Sequence, residues 1–204
     1  MSITSISSDY IDRGIKQKFD QKLIMVGRLG YFSPSECDRI VESAMRLPQK
    51  PGLIKGHEDF ASGDFRRNRI AWIHRDPEFN WMITRLQEAV ELLNDKYYRF
   101  DISGFEPIQF SIYDTIGDFY ESHIDINLDC DMMRKISVIV QLSDENDYEG
   151  GNLEVFSTNS EYAPAPRQRG SVLAFPSFLV HRVTPITKGK RLSLVAWTVG
   201  PNFK

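Results

Sequence analysis

Two rhythms divide the chain. In the first half, apolar residues twice recur at helical spacing; beyond about residue 97 they fall into short blocks separated by turn residues. The first helical stretch has a clear start. Ser33 can cap, Pro34 suits the first helical position, and Glu36 completes a capping box. Cys37, Ile40, Val41, Ala44 and Met45 then lie on one face, and Pro48 and Pro51 close the element. Asp76-Pro77 opens a second helix that places Met82, Leu86, Ala89, Val90 and Leu93 together. Strands are expected at 22–29 and 69–75. Residues 49–69 have no period and hold Pro51, Gly52, Gly56 and Gly63 beside Arg66, Arg67 and Arg69, the pattern of a long loop. After Tyr97, strands are expected at about 98–105, 107–114, 119–125, 135–143, 153–157, 171–176, 179–184 and 191–199. Gly117-Asp118, Asn146-Asp147, Gly150-Gly151, Arg169-Gly170 and Lys188-Gly189-Lys190 mark turns between them. Many short strands point to a sandwich, jelly roll or barrel, with the two helices buttressing one face. No linker or repeat splits the 204 residues, so a single domain is expected, with 1–100 as support and lid loop and 101–204 as the β core.

Charge and composition narrow the function classes. A net charge of -3 argues against a partner bound by counterion release, so no nucleic acid is expected. The start lacks a basic segment followed by an apolar run, and no run approaches about 18 apolar residues, so neither a secretory leader nor a membrane span is expected. Cys37 and Cys130 lie in no metal spacing and read as free thiols of a reducing compartment, which places the chain in a cytoplasm. Residues 1–20 are polar and carry no periodic signal.

The candidate chemistry centres on His123-Ile-Asp125. On a strand, positions i and i+2 point the same way, so both side chains can reach one ion. Alone the pair means little, since composition produces one His-x-Asp in about a quarter to a third of such chains. Its setting adds weight. The pair ends an aromatic strand, and His181 lies in an apolar one, Phe175-Pro-Ser-Phe-Leu-Val-His181-Arg-Val183, where a buried imidazole needs a partner. Ten positions on, Arg191 opens the block Leu192, Leu194, Val195 and Trp197, so its guanidinium is buried and requires an anion. The segment between His181 and Arg191, Pro185-Ile-Thr-Lys-Gly189-Lys190, reads as the turn of a hairpin, which would stand Arg191 on the order of 10 Å from the metal, a span that suits a small dicarboxylate. Two histidines and a carboxylate on one side of an octahedron leave positions for a chelating keto acid and O2, the arrangement of a non-haem iron oxygenase.

These residues resemble the Fe(II)/2-oxoglutarate dioxygenases, in particular the prolyl 4-hydroxylase-like branch. The likeness covers about 107–200. It is carried by Gln109-Phe-Ser-Ile-Tyr113, Gly117, Tyr120, His123-Ile-Asp125, Arg134-Lys-Ile-Ser137 leading to Gln141-Leu-Ser143, Tyr148-Glu-Gly-Gly151-Asn-Leu153, Gly170-Ser-Val-Leu-Ala-Phe175-Pro-Ser, His181-Arg-Val183, Gly189-Lys-Arg191-Leu-Ser193 and Trp197. The resemblance implies a mainly β fold, a double-stranded β-helix (distorted jelly roll). It implies His123, Asp125 and His181 as Fe(II) ligands and catalytic centre. Arg191 would bind the distal carboxylate of 2-oxoglutarate, Tyr113 would hydrogen-bond it, and Ser193 would be a further contact. It further implies O2, a peptide or small-molecule substrate with peptidyl proline first, and ascorbate as a reductant that rescues oxidised iron. Related halogenases carry Ala or Gly at the carboxylate position; Asp125 favours hydroxylation. The nucleic-acid demethylases carry a second arginine six positions after the first; Trp197 stands there instead. Loop 49–69 is the candidate lid, with Arg66, Arg67 or Arg69 gripping substrate. The alternatives are hydroxylation of another protein side chain, a free amino acid or a small molecule, and, outside catalysis, a cupin-like metal-binding module. Nothing in the sequence sets the oligomeric state.

Overall fold

Helix α1 (Pro34–Met45) begins as the capping pattern dictates. Glu36 N donates to Ser33 Oγ (3.3 Å) and Ser33 N to Glu36 Oε2 (2.8 Å), so two donors that the helix cannot pair internally are satisfied reciprocally. The structure is a computed structural model and describes residues 24–52, 64–126, 132–156 and 161–203. Residues 1–20, Cys130 and most of the candidate lid (53–63) lie outside them. Helix α2 (Asn80–Leu93) starts later than Asp76-Pro77 suggests. Asp76 instead accepts from the backbone N–H groups of Glu78 (2.8 Å) and Phe79 (3.1 Å) and turns the chain into the helix.

Around the helices run fifteen described strands: β1 (Val26–Arg28), β2 (Lys50–Pro51), β3 (Arg66–Arg67), β4 (Arg69–Ile73), β5 (Gly104–Phe105), β6 (Ile108–Tyr113), β7 (Phe119–His123), β8 (Met132–Gln141), β9 (Tyr148–Gly150), β10 (Leu153–Phe156), β11 (Tyr162–Pro164), β12 (Val172–Pro176), β13 (His181–Val183), β14 (Ile186–Gly189) and β15 (Arg191–Pro201). They form a large antiparallel sheet ordered β1-β12-β8-β15-β6-β4-β2, with β5 beside β15; a smaller sheet ordered β11-β10-β13-β7-β3; and the pair β14-β9. The described residues are therefore mainly β with two α-helices. None of the described helices is long and apolar enough to cross a membrane.

Three expectations needed correction. Residues 98–103 are not a strand. Helix α2 runs into a π-helical turn (Asn94–Tyr98) closed by Arg99 at φ 54, and the Asn94 side chain donates to Phe100 O and accepts from Phe100 N, both at 2.9 Å. A chain held to one amide at both groups cannot extend, and only Gly104–Phe105 remains as strand. The strand at 119–125 stops at His123. Residues 185–190 are not the turn of a hairpin onto the His181 strand: Ile186–Gly189 is itself β14, paired with β9, Arg191 pairs with Tyr113 on β6, and β13 pairs with β10 and β7.

The central strands are buried on both faces, and their alternation sorts two environments. On β6, Ile108, Phe110 and Ile112 join the core that holds Ile40, Ala44, Met82, Leu86 and Val90 of the helices. So do Ile136, Val138 and Val140 of β8, and Leu192, Leu194 and Ala196 of β15. The alternate positions carry Gln109, Ser111, Ser137, Gln141, Arg191 and Ser193, all buried. Successive side chains of a strand point to opposite faces, so these polar groups share the face away from the helices.

One backbone position is under close constraint. Gly170 sits at φ +78, where an added Cβ would lie 1.9 Å from the Phe32 carbonyl oxygen, and its own N–H and C=O bond Gln141 O (2.8 Å) and Phe32 N (2.9 Å). Gly170→Ala is expected to cost about 1–3 kcal/mol and lower the melting temperature by several degrees in thermal denaturation. Gly104→Ala, with nothing within 4 Å of its Cβ, is the control that leaves it unchanged.

Candidate metal and co-substrate site

His123 and His181 face each other as a direct cross-strand pair of β7 and β13. Asp125 lies two residues past His123, where the backbone is fixed by Asp125 N donating to Ser177 O (2.9 Å). One ligand-capable atom from each of the three lies within 4.8 Å of the others. His123 Nε2 is 3.6 Å from Asp125 Oδ1 and His181 Nε2 is 3.3 Å from Asp125 Oδ2.

The opposite ring nitrogens decide what these atoms carry. His123 Nδ1–H donates to the Glu121 carbonyl (2.7 Å) and His181 Nδ1–H to the Leu179 carbonyl (2.9 Å). A carbonyl accepts only, so each neutral imidazole keeps its proton at Nδ1 and turns the Nε2 lone pair toward the carboxylate. Lone pairs and a negative charge then converge with no protein proton between them, a donor set that fits a divalent cation. Ser137 Oγ donates to Asp125 Oδ2 (2.6 Å) and orients it. Burial disfavours charge on all three. It lowers the His123 pKa, helped by its neighbour His181. For His181 burial pulls the same way, but the Asp125 carboxylate outweighs it and the pKa rises. Asp125 is fully enclosed, which favours the neutral acid, yet the electrostatic pull of the neighbouring imidazoles, His181 first, holds it well below the usual carboxylate range.

Arg191 is 2 % exposed. Its Nη2 donates to Gln141 Oε1 (3.0 Å), whereas its buried Nε has no partner among the described residues. Tyr113, its register partner on β6, places its ring centroid 5.5 Å from the guanidinium carbon. Burial raises the Tyr113 pKa against the pull of Arg66 and Arg191, so the phenol stays protonated and can donate. Ser193 lies next along the same face, opposite Ser111 and Gln141. A buried guanidinium held only by a neutral amide, with a phenol beside it, has the chemistry of a carboxylate receptor. Contacts lead from there to the metal-ligand candidates: Tyr120 packs against the cluster containing Tyr113 and stacks on His123 at 3.6 Å between centroids.

Two groups escaped the reading of the sequence. Ser137 and Gln141 are the residues that orient Asp125 and Arg191, and the one available signal was a polar side chain at alternate positions of an otherwise apolar strand. Arg66 was placed in the lid; it is instead a buried residue of β3 paired with Tyr120. Arg67 and Arg69 do lie at the surface, bound to Asp118 and Asp114.

Comparison with known proteins bears on this arrangement. Residues 108–199 match the model of the 2OG-Fe(II) oxygenase superfamily. A PKHD-type hydroxylase of Idiomarina loihiensis is 35% identical over 92 residues, 43% of this chain and 42% of that protein. One of Hyphomonas neptunium is 40% identical over 88 residues, 40% of this chain and 38% of that protein. The match thus spans about two fifths of the length of these relatives. A Pseudomonas putida prolyl-4-hydroxylase superposes with a TM-score of 0.69 at 19% identity, over 87% of this chain and 93% of that one. A prolyl hydroxylase from Trichoplax adhaerens, in complex with a hypoxia inducible factor oxygen degradation domain peptide fragment, gives 0.70 at 20% identity over 87% and 85%. At these identities the superpositions establish the fold.

Proposed function

We propose that this chain, whose residues 108–199 belong to the 2OG-Fe(II) oxygenase superfamily, is an Fe(II)- and 2-oxoglutarate-dependent hydroxylase of peptidyl proline. The observation that carries the reading is the convergence of two Nε2 lone pairs and one ionised carboxylate beside a buried, half-satisfied guanidinium. His123, Asp125 and His181 would hold the iron. Arg191 and Tyr113 would hold the distal carboxylate of the keto acid, with Ser193 beside them. When bound, the two supply the oxidation: 2-oxoglutarate and O2 give succinate and carbon dioxide, and one oxygen atom enters a C–H bond of the substrate.

The protein contributes positioning and electrostatics. Glu121 and Leu179 carbonyls fix the tautomers, Ser137 fixes the carboxylate, and the apolar side chains on the opposite faces of β6, β8 and β15 pack with the helices into the core behind the polar interior. We read the two larger sheets as the faces of a double-stranded β-helix within one domain spanning 1–204. Peptidyl proline is supported by the prolyl hydroxylases that share the fold and by the peptide bound to one of them.

The test is spectroscopic and then chemical. Anaerobic addition of Fe(II) and 2-oxoglutarate should give the weak visible charge-transfer band of the chelate. Air should then yield succinate and, with proline peptides, a product one oxygen atom heavier by mass spectrometry. Ascorbate added to the same assay should prolong turnover. Metal binding without the band and without succinate would leave a metal-binding module and sink the enzyme.

A further inference from the structure

A second buried guanidinium stands beside the candidate iron ligands, and neither the iron nor 2-oxoglutarate calls for it. Arg66 is 6% exposed. Its Nε donates to Asn68 Oδ1 (2.7 Å), its guanidinium carbon lies 4.4 Å from the Tyr120 ring centroid, and its buried Nη2 has no partner among the described residues. Tyr120 in turn stacks on His123 at 3.6 Å. Arg66, Tyr120 and His123 thus form one column that ends at the candidate metal site.

The charge in this column is not balanced. Arg67 and Arg69 on either side have Asp118 and Asp114. Among the described residues Arg66 has only Asn68, itself 6% exposed and neutral. The pair is closely built: a Cβ on Gly52 would lie 2.2 Å from Asn68 Oδ1 and 2.5 Å from Arg66 Nε, so only glycine leaves room for it. A guanidinium withdrawn from water is compensated by an anion, not by an amide and an aromatic face alone. Arg191, with Gln141 and Tyr113, already suffices for the dicarboxylate.

We infer that Arg66 binds a carboxylate carried by the substrate, an aspartate or glutamate side chain or a terminal carboxylate next to the hydroxylated residue. The inference rests on the oxygenase reading and adds a substrate class to it. With Nε committed to Asn68, the free end of the guanidinium is the part that meets the carboxylate. Tyr120 lies between the guanidinium and His123, so the anion would set how far the target residue stands from the candidate metal ligands.

The test uses pairs of probes that differ only in charge: N-acetyl-L-proline and its amide, and acetylated, amidated Asp-Pro-Ala and Ala-Pro-Asp with their Asn counterparts. The full chain with Fe(II) and 2-oxoglutarate is followed anaerobically by thermal shift and in air by stimulated succinate formation. At least one acid should bind about 10-fold or more tighter than its amide. R66Q should bring that ratio to about 1, while R66K, which keeps the charge and reports on folding, retains part of it. The affinities for Fe(II) and 2-oxoglutarate should stay within about 2-fold in both variants. No acid preferred over its amide, or a preference that survives R66Q, overturns the proposal. So does a loss of 2-oxoglutarate affinity in R66Q as large as the loss for the acid, because the charge would then serve the co-substrate. Failure of the oxygenase reading is separately visible as a missing chelate band, with acid-over-amide binding still measurable by thermal shift.

Discussion

Asp125→Ala is expected to abolish 2-oxoglutarate turnover and to weaken Fe(II) binding by more than about 100-fold. Even partners that only orient a metal ligand are worth about 10–100-fold in metal affinity, and Asp125 is the one anionic donor of the trio. Its removal leaves the two Nε2 lone pairs facing each other with neither cation nor carboxylate to balance them. It also strips Ser137 Oγ of its charged acceptor, leaving Ser177 Oγ at 3.0 Å as its remaining side-chain neighbour. The fold should survive, because the backbone bond from Asp125 N to Ser177 O is independent of the side chain and remains in the variant. Fe(II) titration and succinate formation check the loss; circular dichroism checks the fold. A variant that retained tight iron binding and turnover would mean that the metal sits elsewhere. Asp125→Glu is the informative companion. It keeps the charge but lengthens the side chain in a site where Ser137 approaches to 2.6 Å, so turnover should fall further than metal affinity.

The residues that meet at the candidate site were legible in the sequence for one physical reason: they are close along the chain or announced by burial. His123 and Asp125 are two apart, so no topology is needed to bring them together. His181 and Arg191 stand in apolar blocks where a polar side chain must have a partner. The α1 start was legible because capping is a local transaction between Ser33, Pro34 and Glu36. What could not be read was anything that depends on which strands meet. Ten residues between His181 and Arg191 suggested a hairpin, yet an intervening strand, Ile186–Gly189, pairs with Tyr148–Gly150 and sends β15 to the other sheet. Arg191 therefore faces Tyr113 and Gln141, residues 78 and 50 positions away in the chain, and no local rule points to either. The same holds for β2 and β3, two residues each and too short for any period, the second of which carries Arg66 into the interior. Residues 98–103 failed differently. Their composition suits a strand, but Asn94 spends its side chain on Phe100 and imposes a turn that propensity cannot foresee.

Arg191→Gln is expected to raise the dissociation constant for 2-oxoglutarate by about 30-fold to several thousand-fold while leaving Fe(II) affinity within a few-fold. Removing one member of a buried, hydrogen-bonded charge pair costs about 2–5 kcal/mol of binding, and about 1.4 kcal/mol is a factor of ten. The metal is spared because none of the three candidate ligands bonds Arg191. The substitution should behave oppositely in the protein without co-substrate. There the guanidinium is 2 % exposed with one neutral partner and an unpaired Nε, so it is a buried charge that only ligand compensates. Arg191→Met, which keeps the stem and drops the charge, should therefore be neutral or stabilising when neither iron nor 2-oxoglutarate is present. In the parent chain, 2-oxoglutarate at about 100 times its dissociation constant should add about 2.7 kcal/mol of stability, and in Arg191→Met at the same concentration this increment should fall to about 1 kcal/mol or less. Melting temperatures with and without the keto acid, measured on both chains, separate the two contributions. If Arg191→Met melts well below the parent without ligand and still gains as much from 2-oxoglutarate, then Arg191 is a structural residue and the co-substrate lies elsewhere. If iron and 2-oxoglutarate affinity fall together, the guanidinium supports the metal centre rather than the distal carboxylate, and Tyr113 loses its assignment with it.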